Sequence, residues 1–210
     1  MIRSIRSDDQ RFKSVTFGPG LNILLADKFD DQAKPADRKS AKDLRTRNGA
    51  GKSSFIDIIH FLLGGKAEGA LTSAALAEWS FSGEFGSPIS SLEFGVERSL
   101  VAPKVIRRLT SASSADLTVN AFLQEIGRDW FKLPDATGPG GPSFRQMMAF
   151  FARRRRDGGY DHPTRTFRVQ STQSSEVNLA HLFGLDADIV RRRHVAKAAL
   201  KQTDAARKVL

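Results

Sequence analysis

Cysteine is absent from the 210-residue chain, which excludes a disulfide framework and any thiolate metal centre. No apolar run approaches the roughly 18 residues that a bilayer crossing requires, so no membrane partner is expected. The opening MIRSIRSDDQ places two acids where a secretory leader would carry its apolar stretch, which predicts a cytoplasmic protein. Acidic residues are also in short supply, 23 against 33 Lys plus Arg, leaving a formal charge of +10. Such an excess favours a polyanionic partner, because cationic side chains displace the counterions condensed on phosphates. The alternative for any one basic cluster is a merely solvated face.

The chain begins with β-type patterning. Residues 2–6 and 12–17 read as strands, Gly18-Pro19-Gly20 forces a turn, and the apolar run Leu21 to Ala26 predicts a buried strand. From 27 to 45 the composition is polar and lacks a sustained apolar period, which predicts an exposed loop. Residues 53–64 carry apolar side chains at 55, 56, 58, 59, 61, 62 and 63, more than one stripe needs, so this helix should be buried on most sides and end at Gly64-Gly65. Short strands are predicted near 76–82, 91–98 and 104–110, with helices near 119–131, 143–155 and 176–183. Gly138 to Pro142 and Asp157-Gly158-Gly159 read as breaks. The segment 186–210 has neither Gly nor Pro, and a seven-residue spacing joins Ile189, Ala196, Thr203 and Leu210, with Ala199 and Ala206 between them. That spacing predicts the start of a coiled-coil arm, against the alternative of an ordinary packed helix. The expected organisation is an α/β lobe over 1–118 with a polar insertion at 27–45, a helical subregion over 119–185, and the arm over 186–210.

The chemistry concentrates at Asn48-Gly49-Ala50-Gly51-Lys52-Ser53-Ser54. Binding a nucleoside triphosphate takes inward-facing backbone amides, a mobile cation reaching the β- and γ-phosphates, and a hydroxyl for magnesium. Gly49 and Gly51 allow close backbone approach, Lys52 is the cation, Ser53 is the magnesium ligand, and the helix that follows aims its positive end at the phosphates. Arg47, Asn48, Ala50 and Ser54 complete the expected ATP-binding set. The first glycine of the longer phosphate-loop pattern would fall at 46, where Thr46 stands. A dinucleotide-binding reading is poor, since Ser54 replaces the third glycine and no acid follows about 20 residues on.

The stretch Phe12 to Leu25, followed by Asn48 to Ser54, resembles the amino-terminal lobe of SMC-like and RecF/RecN-like ATPases of the ABC class. The likeness covers residues 1–66 well and the remainder in outline. The polar insertion and the lead-in Arg45-Thr46-Arg47-Asn48 resemble a bacterial branch of SMC-like proteins, some belonging to three-component systems implicated in defence against foreign DNA. The resemblance implies a P-loop fold with a mixed sheet around the phosphate-loop helix. It also implies ATP-dependent homodimerisation, further subunits in a multicomponent system, and a carboxy-terminal lobe that supplies the catalytic glutamate and signature loop. Ile23 to Asp27 and Leu63-Gly64-Gly65-Lys66 only imitate those later motifs; the second is better read as a helix cap. The family places a glutamine between its lobes to sense magnesium and the attacking water. Gln146 is the candidate for that role, with Gln124, Gln170 and Gln173 as rivals.

Arg153, Arg154, Arg155 and Arg156, with Arg145, Arg165 and Arg168 nearby and aromatics interleaved, form the expected DNA-binding surface. Arg191-Arg192-Arg193 is a second basic patch. His60, His162, His181 and His194 lack ligand-like spacing. The functional expectation is an ATP-binding half-head that couples dimerisation and hydrolysis to DNA binding or processing. The alternatives are a nucleic-acid scaffold whose phosphate loop does not cycle, or a small-molecule kinase.

Overall fold

In the computed structural model the described residues are 2–24, 52–88, 90–91, 93–135 and 140–207. The insertion 27–45 and the segment Arg47 to Gly51 lie outside them, as do Ala26, Gly138, Pro139 and Leu210. The chain is mixed α/β and divides into two compact units, one of residues 1–86 with 92–117 and the other of 87–91 with 118–210. Among the described residues no helix is long and apolar enough to cross a membrane.

The first unit carries strands β1 (Ile2–Ser7), β2 (Val15–Thr16), β3 (Ser80–Gly86), β4 (Glu93–Ser99), β5 (Val105–Leu109) and β6 (Ser114–Thr118), in the spatial order β2-β1-β3-β4-β5-β6. Its pairs from β2 through β5 are antiparallel, so this sheet is not the mixed one expected. Short loops join β1 to β2, β3 to β4 and β4 to β5, a connection that suits antiparallel neighbours, whereas β3 reaches the other edge of β1 only after β2 and the helix that follows it. Register aligns Ile5 with Gly83, Gly83 with Val96, Phe85 with Phe94, and Phe81 with Arg98. These positions alternate with polar ones and build the buried face: Ile5, Phe81, Phe85, Phe94, Val96 and Ile106 are all inside. On the other face Arg3 pairs with Glu93 at 2.9 Å, and Arg107 pairs with Asp116 at 3.0 Å.

Helix α1 (Lys52–Leu62) covers the buried face with Ile58, Ile59, Phe61 and Leu62. Its close approach is centred on Gly83, where an added Cβ would stand 3.1 Å from Leu62 Cδ1 and 2.9 Å from Ile5 Cδ1. The helix ends as its sequence indicated. Gly64 takes a φ of 82°, and the Gly65 amide donates to the His60 carbonyl at 2.7 Å.

The expected strand over 21–26 is absent from its described part. Leu21, Ile23 and Leu24 are 89%, 71% and 47% exposed and carry no strand. The Asn22 side chain accepts from the Gly18 amide at 2.9 Å and donates to the Gly18 and Gly20 carbonyls, folding the segment back on the turn. Local side-chain capture of backbone groups competes with a strand ladder, and both edges of β1 are already taken by β2 and β3.

The second unit contains α2 (Val119–Phe131), α3 (Phe144–Met148), α4 (Thr172–Leu182) and α5 (Ala187–Arg207). Thr118 caps α2, which buries Phe122, Ile126 and Trp130. Phe144 meets Trp130 and Phe131 at ring distances of 5.7 and 5.6 Å, fixing α3 on α2. His181 of α4 lies 2.7 Å from the Phe131 carbonyl, and His194 of α5 lies 2.8 Å from Glu176 of α4.

Two further expectations need correction here. The helix predicted over 143–155 stops at Met148, because the chain beyond it is drawn into a loop by the contacts of Arg153 described below. The helix near 176–183 begins four residues earlier, at Thr172, where the Ser171 hydroxyl accepts from the Ser174 amide. The arm expected over 186–210 is helical over Ala187–Arg207 and buries none of its residues, and Ile189, Ala196 and Thr203 of its seven-residue spacing are exposed.

Candidate nucleotide site and basic loop

Of the expected ATP-binding set, Arg47 to Gly51 lie outside the described residues, and Lys52, Ser53 and Ser54 open α1. Ser53 is exposed and Ser54 half-buried. The first turn contains no acidic residue, so nothing in it offsets the positive end of the helix dipole. Phe55 meets Phe17 at 6.1 Å, which ties this first turn to the chain leaving β2. Asp57, one turn beyond Ser53, is buried and already engaged.

The opposite end of α1 is held by Arg98 of β4, a residue that sequence reasoning did not single out. Its side chain is 3% exposed, and its guanidinium donates to the carbonyls of Phe61, Gly65 and Pro103, the Gly65 bond being 2.6 Å. The same group lies 4.1 Å above the Phe61 ring. A cation placed on the last carbonyls of a helix satisfies acceptors that lack intrahelical partners and complements the negative end of the dipole. Its only sequence signal is a charge on the apolar face of an alternating strand, between Val96 and the turn at Leu100.

In the second unit Gln146 closes a capping box. Its Oε1 accepts from the Ser143 amide at 3.0 Å, and its Nε2 donates to Ser174 Oγ at 3.4 Å. The side chain proposed to sense magnesium is therefore used in capping α3 and joining it to α4. Gln170 is buried and accepts from the Thr166 amide at 2.7 Å, while Gln124 and Gln173 are exposed.

The four consecutive arginines divide by role. Arg153 lies between the rings of Phe150 and Tyr160, at 5.6 and 4.8 Å, and donates to the carbonyls of His162 and Pro163 at 2.6 and 2.7 Å. Arg154 donates to Asp157 at 2.6 Å and is largely covered. These two hold the loop together. Arg155 and Arg156 form a short 3₁₀ turn with Asp157 and are exposed, and Gly158 and Gly159, with φ of 106° and 55°, reverse the chain after it. Arg145, Arg165 and Arg168 are exposed as well.

The second basic patch is offset by acids. Asp188 accepts from Arg191 and meets Arg192 at 3.0 Å, and Glu176 meets Arg193 at 3.9 Å. The hydrogen bond from Arg191, with the charges of Arg191 and Arg192, holds the Asp188 carboxyl below the ordinary carboxylate range. Among the described residues no group of His, Asp and Glu is arranged to hold a metal ion. Comparison with known proteins finds no matching family, no matching curated protein and no matching solved structure.

Proposed function

We propose that the chain is the amino-terminal, ATP- and magnesium-binding half of an SMC-like ATPase head, in which ATP-driven dimerisation and hydrolysis are coupled to DNA binding. The observation that carries this reading is the junction of Asn48-Gly49-Ala50-Gly51-Lys52-Ser53 with α1, a buried helix free of acid in its first turn. A helix start of that kind, preceded by glycines, favours phosphate oxygens through backbone N-H groups and the aligned peptide dipoles.

In this reading Lys52 supplies the cation for the β- and γ-phosphates, and Ser53, exposed at the helix start, supplies the hydroxyl ligand. Magnesium, when bound, neutralises charge on the phosphate oxygens. Arg98 and the Gly64-Gly65 cap fasten the far end of α1, so the helix start is carried on a rigid element. The resemblance assigns the catalytic base and the signature loop to a carboxy-terminal lobe, so this half binds ATP with little turnover of its own.

Calorimetric titration of ATP with magnesium tests the first step. Lys52→Ala should weaken binding at least tenfold, about 1.4 kcal/mol, and co-expression with a carboxy-terminal lobe should give ATP turnover that the same substitution abolishes. Equal heats for the two proteins, or turnover indifferent to Lys52, would refute the reading.

A further inference from the structure

The loop between α3 and α4 places exposed cations beside exposed rings on a frame that is internally fastened. Over residues 143–170 there are seven arginines and two aspartates. Arg154 is paired with Asp157 and Arg153 is taken up by carbonyls and rings, while Arg145, Arg155, Arg165 and Arg168 are exposed and form no ion pair among the described residues.

The rings lie within the same frame. Tyr160 is 64% exposed, with Arg153 against its ring and its hydroxyl donating to the Phe151 carbonyl at 3.0 Å. Phe151 stacks on Phe131 at 5.9 Å and is itself largely open. Arg168 reaches back over Gly158, where an added Cβ would stand 3.2 Å from its Cγ, and exposed Phe167 directly precedes it. The frame is closed by Gln170 on the Thr166 amide and by Ser175 on the Thr164 carbonyl.

From this juxtaposition we infer that the 151–168 loop is a platform for single-stranded nucleic acid, with Arg155, Arg165 and Arg168 contacting the backbone and Phe167 and Tyr160 offering faces for unpaired bases. A duplex hides its base faces in the stack and would use only the cations, whereas a single strand uses cations and rings together. The fastened frame lowers the ordering cost of binding. The inference narrows the DNA partner of the proposed function to its single-stranded form, and it does not require the phosphate loop.

The test is fluorescence anisotropy of the full chain, without ATP, on labelled oligothymidylate of about 20 nucleotides and on a duplex of equal length, a size that covers one such site. The single strand should bind at least tenfold more tightly. Joint replacement R155A/R165A/R168A should flatten the salt dependence by about 2 in the log-log slope, at roughly 0.7 for each phosphate no longer neutralised. Phe167→Leu, which keeps apolar volume and removes the ring, should cost about fivefold or more on the single strand, as loss of one stacked base does, and leave the duplex unchanged. Thermal melts of the variants should match the parent, since the replaced arginines are unpaired. Duplex binding equal to or tighter than single-strand binding overturns the inference, as does indifference to either variant. Lys52→Ala should leave these affinities unchanged, so failure of nucleotide binding and failure of this platform read out separately.

Discussion

Replacing Arg98 by Met removes the guanidinium while keeping most of the unbranched stem that fills the space above Phe61. Three carbonyls, those of Phe61, Gly65 and Pro103, are then deprived of a charged donor. The Phe61 carbonyl keeps the Gly64 amide, so two acceptors, at about 1–3 kcal/mol for each left unsatisfied, give roughly 2–6 kcal/mol in total. Relief from burying the cation returns several kcal/mol. The net loss should be about 2 kcal/mol, a sizeable part of the 5–15 kcal/mol typical of a folded domain. Arg98→Lys should recover part of it, because an ammonium still donates but lacks the planar fork that spans separate acceptors. Urea unfolding followed by fluorescence reads the midpoint, with Trp79 as the reporter in the same unit. Hydrogen exchange at the amides of Leu63, Gly64 and Gly65 localises the effect, since these close the end of α1. A loss below about 1 kcal/mol, less than one unsatisfied buried acceptor should cost, would refute the view that this side chain fastens the helix.

Two further outcomes follow from local geometry. Lys132 has a φ of 54° at the end of α2, so Lys132→Gly should raise stability by about 0.5 kcal/mol in a thermal melt by relieving a left-handed conformation. Asp188, held below the ordinary carboxylate range first by its hydrogen bond from Arg191, stabilises the fold above its unfolded value and loses that contribution as pH falls through the depressed one. Its carboxyl resonance should therefore titrate low, and Arg191→Ala should return it toward the ordinary range.

The mixed α/β class was legible because two periodicities alternate along the chain. The buried helix over 53–64 follows from its apolar surplus, and α1 ends at Leu62, just before the glycines expected to stop it. Strands β3 to β5 were legible from period-2 alternation, within a few residues. Leu21 to Leu24 misled because strand propensity says nothing about whether a partner edge is available, and Asn22 offers the backbone a nearer set of hydrogen bonds. β6 escaped notice because SADLT has a single apolar side chain of any size, Leu117, to mark the alternation. The early end of α3 depends on the carbonyls that Arg153 reaches at 162 and 163, which local pattern does not weigh, whereas the use of Gln146 as a cap lies in the local spacing Ser143-x-x-Gln146, which the magnesium assignment passed over. Of the candidate site, the sequence indicated the residue types at the start of α1 and the basic character of the loop, but not which arginines are spent internally.

Four identical letters at 153–156 thus conceal two kinds of chemical tolerance. At 153 the flat, delocalised ion fits between two rings and reaches two successive carbonyls, those of His162 and Pro163, at once, a task for which lysine is no substitute. At 155 any mobile positive charge serves. Sequence drift within the run should therefore spare its first member and blur its third, and wholesale neutralisation of the quartet would confuse a collapsed scaffold with a missing ligand.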